Sequence, residues 1–164
     1  MDPASSRSAG PMSKIEWLVE AVAIGILLFW VYYLAANWSS LPDEVPKIFG
    51  LSGRPGAVGS KSVLWVLPGV GALVYIALTV GSRLTRLHNF PIEVTPENAS
   101  ELYTFSRRFL NLSKLVAIAM FGYIEWKMVQ TARGNAEGLA PWFLPIMIVL
   151  MLSISLYPVF RFRR

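Results

Sequence analysis

Cysteine is absent from all 164 residues, and histidine occurs once, as His88. The first absence excludes a disulfide scaffold and a thiolate metal site. The second leaves almost no nitrogen ligand for zinc or haem, so no metal and no cofactor is expected. Charge is scarce as well: Asp, Glu, Lys and Arg make up 15% of the chain, against about 25% in an average soluble domain. No nucleophile–base set or phosphate-cradling loop stands out. Gly69-x-Gly71 lies in an apolar run with no strand before it, which is not a nucleotide fingerprint. Enzymatic chemistry is therefore not expected.

What the chain does have is long apolar runs; 54% of it is hydrophobic. A bilayer core about 30 Å thick needs roughly 20 such residues in a helix. Four segments reach that length, at 17–36, 63–81, about 112–131 and 141–160. The third is the least oily, since it holds Lys114, Glu125 and Lys127. In lipid every backbone amide needs an internal partner, so each run must be a helix. The first is too long for a signal peptide and lacks an Ala-x-Ala site after it. The expected architecture is an all-α integral membrane protein with four transmembrane helices in one domain, residues 15–164. It would follow a disordered cytoplasmic tail, residues 1–14, rich in Ser, Pro, Ala and Gly.

Lysine and arginine divide ten to five between alternate connections. The positive-inside rule then places both termini and His88 in the cytoplasm, with Asp43 and Glu137 outside. The net charge of +5 reads as a topology signal and a contact with anionic membrane lipids, not as a nucleic-acid surface. Trp17, Trp38, Trp65, Trp126 and Trp142 stand near span ends, as interfacial aromatics do. Pro68, Gly69 and Gly71 should kink or thin the second span. Ala21-x-x-x-Gly25 and Ala77-x-x-x-Gly81 are weak small-residue packing faces.

The cytoplasmic connection carries a helix start, with Thr95 as N-cap, Pro96 at the first position and Glu97 in the first turn. Leu102, Phe105 and Phe109 recur at helical spacing, which predicts an interfacial amphipathic helix over about 96–110. It runs directly into the third span or bends near Asn111.

The outside connection, 37–62, has prolines at 42, 46 and 55 and glycines at 50, 53, 56 and 59. Such spacing specifies turns rather than a loose tether. The stretch resembles the domain of unknown function at the start of the SdpI family. These are bacterial multi-span proteins named for an antimicrobial-peptide immunity protein. The family pattern L-P-D-x-[IV]-P-x-H-F-x-x-x-G-x-P-D-x-x-G-S-K is matched at Leu41, Pro42, Asp43, Val45, Pro46, Phe49, Gly53, Pro55, Gly59, Ser60 and Lys61. It is departed from at Ile48, where the family often has His, and Gly56, where it often has Asp. The later run PIEVTPENASELYTFSRRFL also resembles small members, so the likeness covers about 38–142. It implies the bacterial cytoplasmic membrane and a non-catalytic binding, immunity or signalling role, with a peptide or membrane-protein partner and an oligomer possible.

Charges inside hydrocarbon are costly and mark the places to look for function. Glu20 and Lys114 sit at similar depth in the first and third spans and should pair as interhelical glue. Glu125 lies deep in the third span with no local partner, because Lys127 at i+2 points to another face. Either the membrane boundary lies near it and wets it, or it holds a proton, a cation or an outside base such as Lys61. Glu125, Glu20 and Lys114 are thus the candidate ligand or ion site. The competing function is a small transporter or channel subunit that uses this intramembrane carboxylate.

Overall fold

The computed structural model describes residues 10–84, 90 and 92–161; His88 and residues 1–9 of the tail lie outside them. Four α-helices account for most of the chain: α1 (Lys14–Asn37), α2 (Val66–Arg83), α3 (Ala99–Ala132) and α4 (Phe143–Arg161). Two short strands, β1 (Glu44–Pro46) and β2 (Val58–Ser60), form an antiparallel hairpin between α1 and α2. Short 3-10 turns, Trp38–Ser40 and Lys61–Trp65, join the hairpin to these helices. The regions Lys14–Ser40 and Lys61–Arg83 are each long and apolar enough to cross a membrane. Both are mostly exposed, unlike the core helix of a soluble protein, so the chain has the character of a membrane protein.

α1, α2 and α3 form a three-helix bundle. Glu20 of α1 meets Lys114 of α3 and Tyr75 of α2, whereas Leu34 clusters with Val129 and Leu64 at the opposite end. α1 and α3 therefore run parallel and α2 runs against them. α4 lies along α3 in the reverse direction, with Phe143 stacked on Tyr123 (4.6 Å between centroids) and Tyr157 on Phe105 (5.6 Å).

Several expectations change. α1 begins at Lys14 rather than Trp17, because Ser13 caps it: its hydroxyl accepts from Glu16 N, and the Glu16 carboxylate accepts from Ser13 N. The tail's last residues are thus held, not disordered. No separate interfacial helix exists at 96–110; α3 runs unbroken for 34 residues. Its start is three residues later than the Thr95 cap implies. The Asn98 side chain instead accepts from Thr95 N at 2.8 Å, closing a turn before the helix. In that turn Thr95 holds the exposed Glu97 carboxyl below the ordinary carboxylate range.

Pro68 does not kink α2 in mid-course. It sits in the first turn, where its missing N–H costs least. Gly71 does thin the helix: a Cβ there would come within 3.3 Å of Leu27 Cδ1 on α1. Gly25 and Gly81, by contrast, face open space, so neither small-residue pair packs a helix.

Candidate functional site

α3 carries three charged residues on one buried seam. Arg107, Asn111, Lys114, Ile118, Gly122, Glu125 and Val129 are all buried, spaced three or four apart, so they form one stripe facing the other helices. Two of the three charges that make the third apolar run the least oily, Lys114 and Glu125, therefore point into the bundle, whereas Lys127 is only half-buried.

At one end of the seam Arg107 Nε donates to Glu16 Oε1 at 2.7 Å, and the same guanidinium reaches the carbonyls of Gly10 and Pro11. This pair joins residues 91 positions apart in the chain. Two turns along, Lys114 Nζ lies 2.5 Å from Glu20 Oε2 and 2.8 Å from Thr79 Oγ1. The Tyr75 hydroxyl donates to the other Glu20 oxygen. Lys114 is wholly buried, so each charge needs the other: removing one partner would strand a desolvated ion.

Glu125 is the third buried charge, and it differs from the first two. It is 1% exposed, and its Oε1 has no hydrogen-bond partner among the described residues. Bulk solvent therefore does not reach its carboxylate in the closed bundle. Lys61 does not reach it either; that ammonium lies 3.2 Å from Asp43 and 5.4 Å from the Trp38 ring centre. Glu125 lines a cavity of only about 10 Å³ with Leu27, Trp30, Pro68 and Gly71, near the lower limit for one water molecule. Gly122 on the same seam admits the Trp30 indole: a Cβ at 122 would fall 1.8 Å from its Nε1. Glu20 and Lys114 are thus brought together, and Glu125 is held apart from both on a deeper part of the seam. Among the described residues no group of three or more His, Cys, Asp or Glu could hold a metal ion.

The hairpin explains the loop motif. Asp43 and Lys61 close its base, through their side chains and through Lys61 N donating to Asp43 O at 2.9 Å. Pro46 ends β1, paired with Val58, and Gly59 faces Val45, a wholly buried residue of the core. Phe49 bridges to Pro55 nearer the tip, and Pro42 precedes the base at the end of the turn after α1. Gly53 has φ +77°, the left-handed region, and its carbonyl accepts from Leu139 N at 2.8 Å. That bond ties the hairpin tip to the α3–α4 connection. The two departures from the motif are neighbours: Gly56 N donates to Ile48 O at 2.9 Å, and a Cβ at 56 would lie 3.0 Å from Ile48 Cγ1. Strand alternation and two Gly-rich turns were the signals available for the hairpin, but three-residue strands are too short for period-two patterning to register.

With this geometry in place, comparison with known proteins is informative about the first half of the chain. Residues 24–72 match a domain of unknown function, DUF1648, which occurs in SdpI-like membrane proteins. The match starts midway along α1, takes in the whole hairpin and ends in the first turns of α2. An uncharacterized protein of Archaeoglobus fulgidus is 36% identical over 70 residues, which cover 42% of this chain and 38% of that protein. The chain thus matches well under half the length of this relative. No solved structure matches.

Proposed function

We propose that the chain is a four-span, non-catalytic binding or signalling component of SdpI-like type, recognising a peptide or membrane-protein partner at its outer face. One observation carries the reading. The hairpin is anchored at both base and tip, yet it presents Leu51 at 97% exposure and Ile48 at 60%. A rigid scaffold holding apolar side chains out in this way suits recognition, because little ordering entropy is lost on binding. The inward turn of Arg107, Lys114 and Glu125 supports α3 as a span, and the packing of α4 along α3 supports a fourth. Under the ten-to-five charge count both termini lie in the cytoplasm and the hairpin outside; the SdpI-like resemblance implies that the membrane is bacterial.

Single cysteines tests the topology in a chain that has none. Positions 43 and 137 should label with an impermeant reagent in sealed cells and position 88 should not; labelling at 88 would invert it. A photo-crosslinking residue at position 51 then tests recognition. Discrete adducts at 51 and none at the exposed α1 position 28 are expected. Equal adducts at both would remove the hairpin from the account.

A second reading, transport through the intramembrane carboxylate, is favoured by the unpartnered Glu125 oxygen. Proteoliposomes should then pass protons or cations in a manner that Glu125→Gln abolishes. Equal flux in both would leave the binding reading alone.

A further inference from the structure

At the end of the bundle where α1 begins, a cavity of about 320 Å³ opens between α1 and α3. Ile15, Val19 and Leu112 supply apolar wall, while Ser13, Arg108 and Asn111 supply the polar part. Three features point to an anionic amphiphile. Arg108 is exposed and makes no hydrogen bond or ion pair among the described residues, although its neighbour Arg107 is fully committed. Asn111 is 97% buried by its 3% exposure, lines the cavity, and likewise has no hydrogen-bond partner. Among the described residues Glu16 is the one carboxylate on the wall, and it is already neutralised by Arg107 at 2.7 Å. The mouth is therefore cationic, and the positive end of α1 adds to that field.

We propose that this cavity binds the phosphate of an anionic phospholipid. Arg108 takes two phosphate oxygens with its planar fork. The Asn111 amide donates to the same headgroup, and the glycerol and upper acyl carbons lie on Ile15, Val19 and Leu112. The apolar wall is what selects a lipid over free phosphate, since inorganic phosphate gains nothing from it. The adjoining groove on the α4 side shares Arg108 and Leu112 with this cavity and adds Glu97 and the Arg161–Glu101 pair (3.2 Å); there two carboxylates face two arginines, so the α1 side, whose one carboxylate is already paired, is the site. The proposal requires α1 to cross the bilayer, which the cysteine labelling tests separately.

The test uses the full chain in detergent, offered equimolar phosphatidylglycerol and phosphatidylcholine, with retained lipid read by native mass spectrometry. The wild type should prefer phosphatidylglycerol by about fivefold. Arg108→Gln and Asn111→Leu should each bring the ratio close to one. Arg83→Gln, which removes an exposed cation at the same end of α2, should leave it unchanged. A wild type without preference overturns the proposal. An equal loss in the Arg83 variant also overturns it, because the preference would then come from diffuse surface charge. Displacement of bound phosphatidylglycerol by inorganic phosphate alone would mean a free-phosphate site and end the lipid assignment. Should the Arg108 variant not fold, Asn111→Leu decides: an unchanged ratio there overturns the proposal.

Discussion

The two ends of the three-helix bundle are held by different physics. At the Glu20 end, polar contacts do the joining: Glu16 pairs with Arg107 and Glu20 with Lys114, while Tyr75 donates to Glu20 and Lys114 donates to Thr79. At the hairpin end the joint is apolar, a cluster of Leu34, Leu41, Val45, Leu64, Met128 and Val129 flanked by Tyr33 and Trp38. Lipid tails are as apolar as leucine, so between helices in a bilayer burial alone gives little attraction, and polar contacts must set the register. Where loops fold over the helix ends and water is near, burial regains its force. Leu41 and Val45, which come from the loop rather than a helix, belong to that second regime. The contrast teaches that one chain can use specific charge placement for register and nonspecific burial for closure.

The sharpest way to break the contrast is at Lys114. Lys114→Met strands Glu20 in a buried position and should cost about 3 kcal/mol. Glu20→Gln alone should also destabilise. The double variant should lose less than the sum, and strict additivity in thermal unfolding would show that the pair contributes no coupling.

A smaller effect is expected at the hairpin end. Gly53→Val forces a β-branched residue into positive φ and drives a Cβ to 2.5 Å from the Leu139 carbonyl oxygen, for a cost of about 2 kcal/mol. Limited proteolysis of the loop should accelerate with it; a loop as resistant as the wild type would mean the tip anchor is dispensable. Gly59→Val should be milder, because the clash there is with the flexible Lys47 side chain.

The smallest effect sharpens the comparison by showing what an ion pair contributes when it is not buried. Arg161→Gln removes an exposed pair with Glu101, both partners more than half exposed. Its effect on unfolding should stay within about 0.5 kcal/mol. A loss as large as that of Lys114→Met would dissolve the distinction between buried and exposed pairs.

Composition and spacing alone determined the helical class, the apolar runs of α1 and α2, and the nearness of Glu20 to Lys114. Those follow from lengths and depths that a single chain carries in its order of residues. The loop's prolines and glycines announced turns, but its hairpin was illegible because each strand is only three residues long. Glu16's partner, 91 positions away, was equally hidden. Only tertiary packing decided that Thr95 yields to Asn98, that α3 is one rod, and that Glu125 is buried. The reason is that burial is set by which neighbours close over a side chain. Gly122 opens the place that Trp30 of α1 fills, and Pro68 and Gly71 of α2 line the same small cavity. No property of Glu125's own segment foretells that closure.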